Sequence, residues 1–223
     1  MHVEAVVSDT PLCVVYVDDA IVVLDKPSGL LSVPGRGPEK QDCLSLRVQG
    51  QYADALVVHR LDMATSGLIV RARGAQAQRT LSDAFANRQV NKRYEAMVHG
   101  EVSAPAGDHW RTIDLPIGVD WRNRPRRVID QQTGKASVTR VQLLHVDARR
   151  QISHVLLEPL TGRTHQLRLH LQAIGHPILG DTLYAPPAVV AMAPRLLLHA
   201  RDLAFAHPVS GHTMQFSCGC LTL

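Results

Sequence analysis

The stretch His59-Arg60-Leu61-Asp62-Met63-Ala64-Thr65-Ser66-Gly67-Leu68-Ile69-Val70 decides the organisation of this 223-residue chain. It joins two apolar runs, residues 56–58 and 68–70, whose branched side chains favour buried strands. Between the runs stand an acid, a base, two hydroxyls and a glycine, more polar chemistry than a turn requires. Loops held by rigid strands are where reactive groups tend to lie, so Asp62 is the first candidate for a functional carboxylate.

On pattern alone, an Asp close to an Arg after a strand more often forms a turn or a structural ion pair. The whole string changes this interpretation. His-Arg-Leu-Asp-x-x-Thr-Ser-Gly-Leu resembles the signature of the RluA-type RNA pseudouridine synthases, with no substitution at a defining position. The resemblance implies that Asp62 is the catalytic residue and that Arg60 fills the place of the uridine extruded from the RNA. We place His59 among the substrate-binding residues and expect it to act chiefly as a structural support.

A second motif lies on a predicted strand over residues 92–99, after a predicted helix over residues 75–87. Tyr94 shares one face of this strand with Ala96 and Val98, and periodicity alone makes it a core residue. The segment also resembles the family's Lys/Arg-x-Tyr-x-Ala-x-Val-x-Gly motif. That resemblance implies that Tyr94 lies over the target base and can take the proton that leaves.

A third motif, Gly162-Arg163-Thr164-His165-Gln166-Leu167-Arg168, opens a predicted helix that is capped by Thr164 and stops at Gly175. It resembles the family's Gly-Arg-Thr/Ser-His-Gln-Leu/Ile-Arg string, which implies that Arg163 is the ion-pair partner of the catalytic Asp. A neighbouring guanidinium lowers the pKa of an Asp by about 1–3 and so opposes the effect of burial in a closed cleft. Leu198, in the family's Leu-His-Ala position, is implied to lie near the site.

The segment Trp121-Arg122-Asn123-Arg124-Pro125-Arg126-Arg127 contains four arginines in seven residues. A solvated turn is the commonest fate of such a charge run. An arginine guanidinium, however, can bind two oxygens of a phosphate at once. The resemblance places here a loop that enters the RNA groove. We therefore predict that this loop binds RNA through Arg122, Arg124, Arg126 and Arg127.

Composition agrees with an RNA partner without proving one, because 24 basic and 20 acidic residues give a net charge of +4. The four cysteines form no Cys-x-x-Cys pair, and His165 and His170 lack a third ligand at useful spacing, so no metal is expected. Free thiols fit a reducing cytoplasm. No signal peptide is evident, and the longest uncharged run, residues 182–194, is shorter than the ~20 residues of a membrane span. We expect a soluble, cytoplasmic protein.

The rest of the chain predicts an α+β fold. Strands are expected over residues 12–17, 20–24, 136–146, 152–157, 195–200, 203–205 and 213–216, with a helix over 43–51 capped by Asp42 and a loop over 101–112. The resemblance, from about residue 12 to 216, implies the pseudouridine synthase fold: a mixed, mostly antiparallel sheet flanked by helices, with a central active-site cleft. It places the loop 26–35 near that cleft, and Lys26 is assigned no chemistry. We expect one catalytic domain, 1–223, without a separate N-terminal RNA-binding domain, and a monomer.

The predicted function is the isomerisation of uridine to pseudouridine in structured RNA. Nothing is oxidised or hydrolysed in this reaction, so no cofactor is expected. The carboxylate could add to the base, attack the ribose or remove a ribose proton. Further strings resemble the family's short dual-specificity member, which implies a 23S ribosomal RNA hairpin and a transfer RNA anticodon stem-loop as substrates. The alternatives are a catalytically inactive RNA-binding module and a nucleosidase or glycosylase that releases free uracil.

Overall fold

A computed structural model describes residues 11–103, 109–219 and 221 of the chain. The chain divides into two compact units. Of the described residues, those up to Asn91 and Ala200–Gly219 form the first unit, and those between Lys92 and His199, with Leu221, form the second. The expected loop over 101–112 and the Cys218-Gly219-Cys220 tail lie partly outside the described residues.

The strands, in chain order, are β1 (Cys13–Val17), β2 (Ile21–Lys26), β3 (Ala55–Val57), β4 (Ser66–Arg73), β5 (Asn91–His99), β6 (Arg111–Asp114), β7 (Ile117–Val119), β8 (Arg127–Ile129), β9 (Val138–Asp147), β10 (Ile152–Pro159), β11 (Leu198–Ala206) and β12 (Thr213–Ser217). The helices are α1 (Leu44–Gln51), α2 (Ala75–Ala86), α3 (Gln166–Ala173) and α4 (Pro187–Val190). Antiparallel pairing predominates, so the expected α+β fold with a mostly antiparallel sheet is confirmed.

In the first unit the strands lie in the order β1-β2-β4-β11, with β3 beside β4 and β12 beside β11. Strands β2 and β4 are apolar and buried along nearly their whole length, as expected of strands that are covered on both faces. Helix α2 buries Ala77 and Leu81 against strand residues that include Leu68 and Phe205. The helical spacing predicted for this segment is therefore confirmed.

Gly67 explains why the signature contains a glycine inside a buried strand. Its φ of +111° lies where side chains are rarely tolerated. A Cβ at this position would lie 2.3 Å from the backbone oxygen of Ala200. The close approach of these two backbones therefore requires glycine at position 67.

In the second unit the strand order is β5-β10-β9-β6, and β7 and β8 form a separate two-stranded hairpin. The β9–β10 hairpin was predicted, and its strands pair from Ile152 with Asp147 to Pro159 with Thr139. Strand β5 pairs with β10, which places Tyr94 opposite Leu157. Both faces of β5 become buried beyond Tyr94, because Glu95, Ala96 and Met97 are all covered.

Several local expectations were wrong. The N-cap of α1 is Cys43, because the carboxylate of Asp42 instead accepts two bonds from the Arg47 guanidinium, at 2.7 and 2.6 Å. The N-cap of α3 is His165 rather than Thr164. The two strands predicted over 195–200 and 203–205 form the single strand β11, and the end of the predicted loop 101–112 belongs to β6, which spans Arg111–Asp114. Within the described residues, every helix is too short or too polar to span a lipid bilayer.

Candidate active site

Asp62 lies in the loop that joins β3 to β4 in the first unit, and it is half-buried. The loop is anchored on both sides of Asp62 to the segment that follows β2. On the N-terminal side, the Ser32 hydroxyl accepts a bond from the Leu61 N–H (3.1 Å) and donates one to the Leu61 carbonyl (2.7 Å). On the C-terminal side, the Gly29 N–H donates to the Met63 carbonyl at 2.8 Å. These bonds fix the backbone that carries the carboxylate.

Lys26 is the buried cation of this loop pair. Its ammonium group is fully enclosed and donates to the carbonyls of Pro27 (2.8 Å), Leu30 (2.8 Å) and Met63 (3.0 Å), which uses all three of its N–H bonds. Burial lowers the pKa of Lys26 to about 8, while the negative charge of Asp62 opposes that decrease. The protonated ammonium group of Lys26 therefore places a buried positive charge close to the Asp62 loop.

Arg71 braces the start of the same loop from within β4. Its buried guanidinium donates to the carbonyl of His59 (3.0 Å) and to that of Ser32 (2.9 Å). Burial lowers the pKa of Arg71 to about 10, which leaves it protonated at neutral pH. Like Lys26, it was given no role from the sequence. The two residues lie on strands, and neither spacing nor composition shows that they meet the loop.

The imidazole of His59 has internal contacts. Its Nε2 accepts the Val70 N–H at 3.1 Å, and its ring stacks on Phe85 with centroids 4.3 Å apart. An accepting Nε2 carries no proton, so the ring is in the form protonated on Nδ1. These contacts fit a structural support, and binding of substrate by His59 stays a prediction. Arg60 next to it is exposed.

Arg163 lies in the exposed turn that precedes α3 in the second unit. Gln166 holds this turn: its Oε1 accepts from the Arg163 N–H (3.0 Å) and from the Thr161 hydroxyl (2.8 Å), and its Nε2 donates to the Val138 carbonyl (3.0 Å). The glutamine of the third motif therefore fixes the backbone that carries Arg163. The pairing of Arg163 with Asp62, which belongs to the other unit, stays a prediction.

His165 and Tyr184 continue this network. His165 adopts a left-handed backbone, with φ +58°, and its Nδ1 lies 2.8 Å from the Tyr184 hydroxyl. The same hydroxyl accepts the backbone N–H of Arg127 at 2.8 Å, which ties the base of the β7–β8 hairpin to the α3 turn. Arg168 and Asp181 form a buried bidentate ion pair, at 2.8 and 2.5 Å, that supports Tyr184. The Asp181 carboxylate accepts the Tyr184 N–H at 3.2 Å, and the Arg168 guanidinium lies 5.2 Å from the centre of the Tyr184 ring.

The arginine loop joins β7 to β8 and is ordered by Asp120. The Asp120 carboxylate accepts the N–H groups of Arg122 (3.2 Å) and Asn123 (3.0 Å) and the Asn123 side-chain amide (2.9 Å), and these bonds lower its pKa. The predicted RNA-binding residues Arg122, Arg124 and Arg126 are exposed, and Arg127 is half-buried.

Tyr94 and Leu198 also belong to the second unit, since the first two residues of β11 lie before the boundary at Ala200. Tyr94 is half-buried on β5, and Leu198 is 3% exposed at the start of β11. Nearby, burial lowers the pKa of Lys92. Buried Leu198 is suited to a packing role, and its contact with substrate stays a prediction, as does that of Tyr94.

Comparisons with known proteins identify the family. Residues 20–173 match the family described as RNA pseudouridylate synthase. The dual-specificity RNA pseudouridine synthase RluA of Escherichia coli O6:H1 is 49% identical over 205 residues, which cover 92% of this chain and 91% of that protein. The protein of the same name from Pasteurella multocida is 46% identical and covers 96% and 97%.

Among solved structures, human RNA Pseudouridylate Synthase Domain Containing 1 has a TM-score of 0.77 at 28% identity and covers 96% of this chain and 85% of that one. The family match covers more than half of the chain, and it includes the anchored Asp62 loop and the Gln166-held turn. The chain therefore belongs to the RNA pseudouridylate synthase family and is an enzyme that isomerises uridine to pseudouridine in RNA.

Proposed function

We propose that Asp62 is the carboxylate on which this isomerisation depends. The observation that carries the proposal is the anchoring of its loop: hydrogen bonds fix the residues on both sides of Asp62, and buried Lys26 supplies positive charge. Preorganised charge of this kind needs no rearrangement when the reaction begins. An ionised carboxylate serves each of the three routes, which are addition to the base, attack on the ribose and removal of a ribose proton.

Pseudouridine formation breaks the bond between N1 of the base and C1′ of the ribose, turns the base, and joins C5 to C1′. The proton on C5 must then leave. We propose that Tyr94 lies over the base and that its phenol oxygen takes this proton while the hydroxyl proton of Tyr94 passes to solvent. A half-buried tyrosine on a strand is held in a defined orientation, which this role requires.

We propose that Arg163 pairs with Asp62 when RNA is bound. In a closed cleft an Asp tends to gain a proton, and a guanidinium opposes this by favouring the charged form. The Gln166 contacts support the proposal, because they hold the Arg163 backbone in one conformation. Arg163→Gln is expected to lower kcat by more than it weakens RNA binding, whereas loss of binding alone would make Arg163 a phosphate contact.

Extrusion of the target uridine costs a few kcal/mol of unstacking. We propose that exposed Arg60 fills the vacated place, since a planar guanidinium can stack between bases. The exposed arginines of the β7–β8 loop bind the RNA backbone in the same complex. Arg60→Ala should therefore impair a hairpin substrate more than an RNA in which the target uridine is already unpaired.

For substrates we propose a 23S ribosomal RNA hairpin and a transfer RNA anticodon stem-loop. The support is the name that the E. coli and P. multocida relatives share, dual-specificity RNA pseudouridine synthase. Pseudouridine mapping of both RNAs, in cells with and without this protein, tests the proposal. Loss of a modified position in each RNA is expected upon deletion, and loss in neither would refute the substrate assignment.

We also propose that the enzyme acts as a monomer in the cytoplasm, where both RNAs are available to it. Light scattering at concentrations used for activity tests the first part. A mass close to 24.5 kDa is expected, and a concentration-independent dimer would contradict it.

A further inference from the structure

A cleft in the second unit lies beside the arginine loop and is lined by cationic side chains and one aromatic ring. Its volume is about 550 Å³, and it lies among β7, β8, the turn after β8 and the turn that precedes α3. Cationic side chains dominate its charge, because Arg127, Lys135 and Arg163 line it together with the single acid Asp130. Trp121 also lines it.

Trp121 is unusual in being 71% exposed, since a tryptophan normally buries much of its large apolar surface. The Arg124 guanidinium lies 3.8 Å from the centre of its ring and covers one face. With the residue still 71% exposed, the opposite face is open. The ring therefore presents a flat surface on which a second planar group can stack.

The carboxylate of Asp130 is hydrogen-bonded within its own turn. It accepts the N–H groups of Gln132 and Thr133, both at 3.0 Å, and the Thr133 hydroxyl. These bonds lower the pKa of Asp130 and occupy its oxygens. The other charged groups of the lining are cations. Even with Arg163 paired to Asp62, Arg127 and Lys135 outnumber the one carboxylate, so the cleft is suited to an anion.

The walls of the cleft are preorganised. Asp120 orders the loop that carries Trp121, and the backbone N–H of Arg127 is fixed by the Tyr184 hydroxyl. The side-chain Nε of Arg127 is shielded from solvent and has no hydrogen-bond partner among the described residues. A buried donor without an acceptor is costly, so an acceptor supplied by a ligand would stabilise this side chain.

We propose that this cleft binds one unpaired nucleotide of the RNA, other than the target uridine, with its base stacked on Trp121 and its phosphate held by Arg127 and Lys135. The proposal rests on the RNA substrate of the proposed function. A base inside a duplex has both faces covered by its neighbours, so only an unpaired base can stack on the ring. The cleft then selects for RNA in which an unpaired nucleotide lies within reach of the modified one.

Binding measurements with an RNA hairpin test the stacking contact. Loss of one base–aromatic stack weakens binding by roughly 5- to 150-fold, so Trp121→Ala should raise Kd by that factor. Trp121→Phe keeps an aromatic ring and should stay within about threefold of the wild type. Trp110→Ala is the matched control: Trp110 is half-buried in the same unit, near Arg140, and does not line the cleft. Equal effects of the two alanine substitutions would overturn the proposal.

Fluorescence isolates the contact further, because the chain has only two tryptophans. In Trp110→Phe, Trp121 is the sole indole. Titration with a hairpin that has an unpaired loop should quench its emission, and a blunt duplex of the same stem should not. Absence of quenching by the hairpin, or equal quenching by the duplex, would refute stacking of an unpaired base.

The loop nucleotides are then replaced by abasic sites, one at a time. Replacement at one position should abolish the quenching, and replacement at the others should not. Quenching that no single abasic substitution abolishes would overturn the proposal of one bound nucleotide. Pseudouridine formation by the wild type on the same hairpin is measured in parallel. Failure of that reaction would count against the proposed substrate, whereas reaction without quenching would count against the cleft alone.

Discussion

Removal of the Ser32 hydroxyl is expected to displace Asp62 without touching it. Ser32 is 3% exposed and satisfies both backbone groups of Leu61, the residue before Asp62. In Ser32→Ala both buried groups lose this partner, at a cost of ~1–3 kcal/mol each, so the free energy of unfolding should fall by roughly 2–6 kcal/mol. A displacement of about 1 Å at a reacting group costs on the order of 100-fold in rate, and kcat should fall by up to that factor.

Pseudouridine formation is followed by the release of tritium from C5 of labelled uridine in a hairpin RNA, and stability is followed by urea unfolding. Ser32→Thr keeps the hydroxyl and should retain more activity than Ser32→Ala. Ser45→Ala serves as the matched control, because Ser45 is also buried in the first unit but its hydroxyl contacts the Cys43 sulfur, at 3.3 Å.

A kcat of Ser32→Ala within about twofold of the wild type would show that this hydroxyl does not position Asp62. An equal loss of kcat in Ser45→Ala and Ser32→Ala, at equal stability, would show the same. If Ser32→Ala is too unstable to assay, Ser32→Thr is compared with the wild type instead. Threonine keeps the anchoring hydroxyl, so this variant should retain activity.

Three further predictions follow from buried contacts. Activity should decline as pH rises through about 8, where Lys26 loses its proton and the buried positive charge beside the Asp62 loop disappears. The pKa of Lys26 in the folded protein lies below its ordinary value of 10.5, so between these two pH values the unfolded chain binds more protons than the folded one. Lys26 therefore makes the folded state more stable as pH rises through this range. A loss of activity that coincides with loss of stability in urea unfolding would contradict this explanation. Gly67→Ala should destabilise by several kcal/mol in calorimetry, because a Cβ would lie 2.3 Å from the Ala200 oxygen. Gln166→Leu should lower kcat and loosen the turn before α3, detected as faster amide exchange, and unchanged exchange would exclude this role.

The sequence predicted the elements whose pattern is local. Helix α2 has apolar residues at helical spacing, and the β9–β10 hairpin has two apolar runs around a polar turn, so both were located within one or two residues. The short strands β7 and β8 were missed, because three residues give too little alternation to recognise. The Asp42 cap failed because Arg47, one turn on, offers the carboxylate a stronger, charged partner.

The site was predicted from motif identity, and its supports were not. Lys26 meets Met63 across 37 positions of the chain, and Arg71 meets Ser32 across 39. Single-sequence periodicity contains no information about such pairs, and buried cations are rare enough that neither was expected in the core. The Lys-Pro and Gly-Arg-Thr-His-Gln strings were the only signals that Lys26 and Gln166 matter.

The most direct test of the account is pseudouridine formation by Asp62→Asn, with binding of the same hairpin RNA measured alongside. The amide keeps the size and position of the side chain but cannot carry the negative charge. Asp54→Asn is the control, because Asp54 is an exposed carboxylate of the same unit that pairs with Arg73. We expect Asp62→Asn to form no detectable pseudouridine while its Kd for RNA stays within about threefold of the wild type. Product formation at the rate of the control would contradict the central claim that this carboxylate drives the reaction.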